Sequence, residues 1–436
     1  MGVDVDRSGR RAAVIRAPVD GNGSVASSTR RDEILDAAAD IFATSGVRAS
    51  LKEIADACGI LPGSLYHHFE SKDAILVELL ERYQADLDDI AGQVREALRR
   101  PGGRSWGELL LEAASAIADC GQRHRAALQL TLFEPPSGSS PVLTQAIESP
   151  RTSTLERALR DLLRAGQRSG ELRVDLDRPR FADRLCQAML HLSVGIPTQT
   201  PPSQRVAAVK ARILLDGVAL EVPANAILDR SPAFRAAEDV ISGWHDHPGD
   251  EDERWAVLRA AARGEFGRRG YEATTIRDIA SVAGMSTGTV YRLIGSKEEL
   301  LLSVMRSFAD NITAGWEAVL ASPSTSVEKL DALMWVDINV LARYRDEYRI
   351  QLASLRVVPD IVEHGWLYSR RLREIRTLLA QGSRRGEIQL SGGTADERAW
   401  CVLELVWMPE RFVAAGTRSA LALARDTVLR GASART

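Results

Sequence analysis

The chain contains the same stretch twice. Gly59-Ile60-Leu61-Pro62-Gly63-Ser64-Leu65-Tyr66-His67-His68-Phe69-Glu70-Ser71-Lys72 returns 225 positions later as Gly284-Met285-Ser286-Thr287-Gly288-Thr289-Val290-Tyr291-Arg292-Leu293-Ile294-Gly295-Ser296-Lys297. Gly, Gly, Tyr, Ser and Lys recur in identical register. A glycine in a tight inter-helix turn, a short helix behind it, and Ser-Lys opening a further helix describe a helix-turn-helix reader with a phosphate clamp. A duplicated unit of this kind constrains the fold to two related bodies, and 436 residues suffice for two or more domains.

The flanking residues extend the repeat. A first helix is expected from about Arg31 to Thr44, with Ile34, Ala38, Ile41 and Phe42 on one face and Gly46 as its left-handed cap. Its counterpart carries Leu258, Ala262 and Phe266 and stops at Gly270. The second copy has one additional loop residue, Ala-Thr-Thr where the first has Ala-Ser. Second helices follow the N-caps Ser50 and Thr275, burying Leu51, Ile54, Ala55 and Cys58, and Ile276, Ile279, Ala280 and Ala283. Lys52 and Arg277 point outward beside those caps.

Behind each reader the pattern stays helical, and it repeats again. Leu162 to Leu172 matches Leu378 to Ile388, each ending in Arg-x-Gly-Glu and an aliphatic residue. Long amphipathic stretches follow, Arg180–Ile196 and Gln204–Leu220 in the first half, Ala395–Ala415 and Arg418–Leu429 in the second. No alternating strand pattern occurs, so the fold class is all-α. Between the halves, Ser231-Pro232 reads as an N-cap and first helical residue of a short helix to about Ile241. The polar, turn-rich run from His245 to Asp252 reads as a linker.

Both heads resemble the DNA-binding domain of the TetR family of one-component repressors. The resemblance covers both units, strongly in the heads and more loosely behind them. It implies two tandem units, each a three-helix head followed by a helical sensor bundle. It also implies dimerisation through the last two helices of each unit, here as an intramolecular pseudo-dimer at an effective concentration of roughly millimolar. The expected boundaries are 1–29 for a mobile basic arm (Arg7, Arg10, Arg11, Arg16), 30–76 and 253–301 for the heads, 77–222 and 302–436 for the sensor domains, and 223–252 for the linker. The tandem arrangement is similar to actinobacterial repressors of lipid-import operons, including the mycobacterial mammalian-cell-entry type. Expected partners are double-stranded DNA and a small apolar effector, with no cofactor.

Within the heads, Gly59 and Gly284 suit a turn that requires positive φ. Gly63 and Gly288 fall inside the recognition helix, where glycine costs about 1 kcal/mol against alanine. Close approach of DNA backbone and tight packing on the first helix are both open explanations. Tyr66 and Tyr291 offer a phenol to a phosphate, or else fill the small core. Lys72 and Lys297 each follow a serine N-cap at the positive end of a helix dipole, a poor place for a cation unless a phosphate joins it. In the family this lysine contacts the DNA backbone. Ser296 with Glu299 is expected to complete a capping box. Base readout would fall to Leu61, Pro62, Ser64 and His67 in the first head, and to Ser286, Thr287, Thr289 and Arg292 in the second. The first head departs from the family pattern at Leu61 and Pro62, which lack a capping hydroxyl. Arg292 can take guanine as a bidentate pair, which His67 cannot.

Effector chemistry is signalled by tryptophan. Trp316, Trp335, Trp366, Trp400 and Trp407 lie in the second sensor segment, against Trp106 alone in the first. Trp335, Trp366, Trp400 and Trp407 are candidate pocket residues, with core packing as the alternative reading.

Composition removes other classes. A hydrophobic share of 45% with 26% charged residues is that of a globular protein. No apolar run approaches the roughly 20 residues of a membrane span, and no hydrophobic segment follows the N-terminal arginines as in a secretory signal. Cys58, Cys120, Cys186 and Cys401 are scattered without metal-ligand or disulfide spacing, so a reducing cytoplasm is expected. His245 and His247 stand among acids in the linker and read as solvated. Gly284-Met285-Ser286-Thr287-Gly288 matches the G-x-S-x-G nucleophile elbow in letters only. A helix precedes it, and the equivalent Gly59–Gly63 has no serine, so the chain is not expected to be an enzyme.

Overall fold

The computed structural model describes residues 30–45, 49–131, 139–149, 151–193, 204–244, 253–271, 273–357 and 362–434, with the side chains of 45, 193, 204 and 352–367 outside the description. The N-terminal arm, Gly46, the His245–Asp252 run and the Trp366 side chain therefore lie outside the described residues. Among the described residues all regular structure is helical apart from two isolated bridges.

The first head consists of α1 (Arg30–Ser45), α2 (Leu51–Ala57) and α3 (Pro62–Leu65). Its body follows as α4 (Lys72–Arg99), α5 (Trp106–Arg123), α6 (Arg125–Leu130), α7 (Pro141–Glu148), α8 (Ser153–Ser169), α9 (Arg178–Leu190) and α10 (Gln204–Asp216). After the short α11 (Asn225–Leu228) and α12 (Pro232–Ser242), the second head repeats the plan as α13 (Glu253–Arg269), α14 (Ile276–Val282) and α15 (Thr287–Ile294). Its body is α16 (Lys297–Ala321), α17 (Ser326–Arg343), α18 (Arg345–Val357), α19 (Val362–Arg384), α20 (Ala395–Val406), α21 (Glu410–Ala414) and α22 (Thr417–Ala424), which runs on as a π-helical turn, Arg425–Arg430. The expected amphipathic stretch from Ala395 to Ala415 is broken in two at Trp407–Pro409, because proline ends a helix at the residue before it.

The two bodies meet where the amphipathic pairs are expected to meet. α10 packs on α20 and on the π-helical turn, and α9 reaches α20 and α22 through Arg184 and Arg180, whose guanidinium groups donate to the carbonyls of Leu405 and Ser419. The repeated Gly-Glu turns are used reciprocally. Leu220 N donates to Glu387 O and Gln389 N to Val218 O, while Arg173 N donates to Ala432 O and Ala434 N to Glu171 O. Each unit's chain end is thus paired with the other unit's repeated turn. At the centre Gly217 and Gly431, both at φ 72°, lie back to back, and a Cβ on Gly431 would sit 2.2 Å from Gly217 N. Only glycine fits this crossing.

One element departs from the repeat. The stretch 223–252 is expected as a linker, yet its first half is packed structure. Ser231 caps α12, as expected, and α12 lies against α16 and α17 with Ala233, Phe234 and Ala237 buried. Its apolar face requires cover, and the second body supplies it. In the first unit α4 packs most extensively on α8; in the second, α16 packs on α12. The anchor is ionic as well: Arg425, buried, donates to both oxygens of buried Asp331 at 2.7 and 2.8 Å and to Asp229 at 2.7 Å.

Candidate nucleic-acid interface

Each head is a small core with a capped turn. Ile34, Ala38, Phe42, Ile54, Ala55, Leu65 and Phe69 are buried in the first, and Leu258, Ala262, Phe266, Ile276, Ile279, Ala280, Val290 and Ile294 in the second. Ser50 and Thr275 form full capping boxes with Glu53 and Asp278. Gly59 (φ 65°) and Gly284 (φ 66°) make the left-handed turn into the next helix. The additional threonine of the second copy is structural: Thr274 is buried, its hydroxyl donating to Glu265 O and Gly270 O.

The two recognition helices differ in length and cap. α15 is eight residues long, and Ser286 Oγ accepts from Thr289 N at 3.1 Å. The Gly284–Gly288 motif is accordingly a turn and helix cap, not a strand-borne elbow. α3 is one turn of four residues, N-capped by Leu61 with no side-chain bond, and Pro62 stands at its first position. Beyond Leu65 the backbone tightens into three-residue turns, His67 N to Ser64 O and His68 N to Leu65 O. The missing hydroxyl at 61 and the shortened helix go together, since an uncapped helix end leaves its amide donors unpaired.

Both recognition surfaces are open. Leu61 is 76% exposed, Tyr66 56% and Tyr291 53%. Pro62, Gly63, His67, Lys52, Arg277, Ser286, Thr287, Gly288 and Arg292 are exposed as well; Ser64 and Thr289 are half-buried. Neither tyrosine fills a core. A Cβ on Gly63 would meet nothing within 4 Å, and one on Gly288 only Ser286 Oγ at 4.0 Å, so packing on the first helix does not explain either glycine. Among the described residues Arg292 makes two marginal contacts at 3.4 Å, to Gly288 O and Thr289 Oγ1, and can be redirected at little cost.

The lysines sit as expected at the first position of α4 and α16, behind Ser71 and Ser296. Their surroundings change the electrostatic argument. Lys297 Nζ donates to Tyr271 O at 2.6 Å, just past the C-terminal end of α13, and lies 4.0 Å from the Tyr271 ring centroid. The positive end of one dipole is offset by the negative end of another and by a π face. Lys72 is half-buried, which lowers its pKa by desolvation. The capping box expected at Ser296 is only half formed. Ser296 Oγ accepts from Glu299 N, but the Ser296 amide donates to Ile294 O at 2.6 Å and leaves no return bond for the Glu299 carboxylate.

The heads are latched to the bodies by different means. Arg31 pairs with Glu78 and lies over Phe69, and Arg82 pairs with Asp32, tying α1 to α4. α13 instead packs on α18, with Arg263 on buried Glu347 and Gly267 against Asp346.

The candidate pocket tryptophans do not act as one group. Trp335 is stacked on Phe234 of α12 with centroids 5.6 Å apart, and its Nε1 donates to Glu238 at 2.7 Å. Arg418 covers the same ring at 4.3 Å. That residue is a seal for α12. Trp400 is buried on α20, and Trp407, just past the end of that helix, is stacked on Tyr348. None of Trp335, Trp400 and Trp407 lines the three described surface clefts. Sequence spacing also misses a cluster of Asp86, Cys120 and His124, brought together from α4 and the end of α5. Asp86 Oδ2 already accepts from Arg123 at 2.8 Å and pairs with His124 Nε2 at 2.8 Å, and burial pushes the Cys120 thiol up to about 12. Asp86 is thus already engaged by Arg123 and His124 as an internal ion-pair and hydrogen-bond group.

Two helix-turn-helix heads on one helical body are the architecture of a DNA-binding regulator. A family profile described as "Bacterial regulatory proteins, tetR family" matches residues 34–79 and 258–304, one match per head. The HTH-type transcriptional repressor KstR2 of Mycobacterium tuberculosis (strain ATCC 25618 / H37Rv) is 34% identical over 155 residues, 34% of this chain and 72% of the relative. The chain belongs to the TetR family. KstR2 of Rhodococcus jostii (strain RHA1) is 53% identical over 70 residues, 16% of this chain, which spans only 33% of that relative's length. The solved structure described as "ketosteroid transcriptional regulator KstR2 of Mycobacterium tuberculosis" has 23% identity and a TM-score of 0.36, covering 40% of this chain and 95% of that one. No helix among the described residues is long and apolar enough to cross a membrane.

Proposed function

We propose that the chain is a ligand-responsive transcriptional repressor that supplies both DNA-reading heads of a functional pair from one polypeptide. The observation that carries this reading is the pair of exposed recognition surfaces, around Tyr66 and Tyr291, on bodies joined through α9, α10, α20 and α22. Lys72 and Lys297, with Tyr66 and Tyr291, hold phosphates; Ser50, Lys52, Thr275 and Arg277 flank the same backbone; and the exposed faces of α3 and α15 meet base edges. Gly63 and Gly288 leave room for the sugar-phosphate backbone. Because the two faces carry different residues, the operator is two unlike half-sites about one helical turn apart. The likeness to KstR2, a repressor described as a ketosteroid transcriptional regulator, supports control of lipid or sterol uptake or metabolism genes. The narrower likeness to mammalian-cell-entry operon repressors rests on the tandem arrangement.

Selection of binding sites from random duplexes tests the reading. The expected product is an asymmetric pair of half-sites. Arg292→Ala should relax preference in one half-site by about 1–3 kcal/mol and leave the other intact. A perfect inverted repeat, or equal relaxation on both sides, would overturn it.

A further inference from the structure

Leu61 is a feature of the first head that the duplication does not account for. At 76% exposed it is more open than either recognition tyrosine. Among the described residues of the two recognition segments it is the one exposed large aliphatic side chain. Tyr66 has Tyr291 as its counterpart, whereas Leu61 corresponds to Ser286.

The two backbones are alike at this position. Leu61 N-caps α3 at φ −71°, ψ 143°, and Ser286 N-caps α15 at φ −74°, ψ 146°. Ser286 turns its side chain inward, Oγ accepting from Thr289 N at 3.1 Å and lying 2.9 Å from Thr289 Oγ1. Leu61 makes no side-chain cap bond and stands in solvent. Pro62 keeps the residue before it extended, and Ser64 N closes the turn by donating to Leu61 O at 2.9 Å. The leucine is therefore held out at the entrance to the recognition helix on a backbone that is already set.

Residues at the start of a recognition helix meet base edges in the major groove. There guanine offers two acceptors, and cytosine and adenine each offer an amino group. Thymine offers a C5-methyl beside its one acceptor. Leucine has neither donor nor acceptor. Pressed on guanine or on an amino group, it would remove water from a polar edge and put no partner in its place, which costs affinity. Pressed on thymine, it buries methyl against methyl. Pro62, next in the chain and also exposed, has no N–H and adds apolar surface instead of a donor.

We propose that Leu61, with Pro62 beside it, makes the first head a reader of the pyrimidine C5-methyl, so that its half-site carries a thymine under the entrance to α3. The proposal deepens the reading of the heads as two unlike DNA readers and rests on it. 5-Methylcytosine presents the same group at the same place in the groove, and the first head should prefer it to cytosine there.

The test uses the full chain and the duplex obtained by selection, with binding followed by fluorescence anisotropy at fixed salt. Each thymine is replaced in turn by deoxyuridine, which removes only the methyl. At a thymine of one half-site the affinity should fall about four-fold, as expected for one methyl-sized group buried. At that position cytosine should bind more weakly than thymine, and 5-methylcytosine should regain about four-fold over cytosine. Leu61→Ala should make the chain indifferent to that methyl and leave the other half-site's responses unchanged. Leu61→Met should keep the sensitivity, and circular dichroism checks that both variants fold. A duplex with no thymine sensitive to uracil, a sensitivity undiminished in Leu61→Ala, or one lost from both half-sites alike would overturn the methyl reader and leave sequence-specific binding in place. A chain that selects no duplex would overturn the DNA-reading function itself, and the methyl reader with it.

Discussion

Asp337 gives the second body a pH dependence that can be worked out from its contacts. It lies on α17, 1% exposed. Its Oδ1 accepts from Trp316 Nε1 at 2.9 Å, while Oδ2 meets no donor. Burial pushes its pKa from 3.8 up to about 7, against the pull of the Arg371 charge and the Trp316 bond. The folded chain therefore keeps a proton that the unfolded chain has lost, so this contribution is complete below 3.8 and is lost as pH rises through about 7. A shift of this size is worth about 4 kcal/mol in total, at about 1.4 kcal/mol per pH unit within the window. Asp337→Asn is the useful perturbation, because the amide oxygen can still accept from Trp316 and never ionises. In urea unfolding followed by tryptophan emission, the native chain should lose stability from about pH 5 to pH 7.5 more steeply than the variant. The gap between them should widen toward neutral pH, in favour of Asn. Parallel curves, or a constant deficit in the variant at every pH, would refute the argument: the carboxyl would then ionise alike in both states.

Three further outcomes are expected. Lys72→Ala and Lys297→Ala should each weaken DNA binding on all sequences and flatten the salt dependence by about one unit of slope; filter binding between low and moderate salt reads this, and unchanged slopes in both would exclude the clamp. The Lys297 variant should also lose thermal stability of the second head, since its ammonium is bonded to Tyr271 O in the absence of DNA. Asp331→Ala should destabilise the chain by about 3–5 kcal/mol in chemical denaturation, because it leaves the buried Arg425 with Asp229 alone; Asp331→Leu with Arg425→Met should recover most of that loss. Light scattering at low micromolar concentration should return the mass of one chain, and a dimer that dissociates only on unfolding would contradict the intramolecular pair.

Much of the architecture was legible in the residues because it depends on local rules. The duplicated Gly-turn, the Ser50 and Thr275 caps, the apolar faces of α1 and α13, and the Ser231-Pro232 start of α12 are all decided within a few residues of chain. Helical period and capping chemistry do not need distant partners. The pairing of α9 and α10 with α20 and α22 was also legible, since two long amphipathic faces per unit must find cover and tethering makes the other unit the nearest source. What required the tertiary structure is everything set by residues far apart in sequence. The ammonium of Lys297 is stabilised by a carbonyl 26 residues earlier, so its placement at a helix N-terminus misjudged its electrostatic environment. Trp335 and Trp400 look alike in the sequence, but one has its polar edge bonded to Glu238, 97 positions away, and the other lies beneath Lys210 of the first unit, 5.6 Å from its ring centroid. The crossing of Gly217 and Gly431 is equally silent in one dimension, since only the approach of the two backbones shows why no side chain can stand there. Local sequence determined the helices, their caps and the number of heads; the fold decided which polar groups are satisfied, because satisfaction depends on the partner that packing brings near.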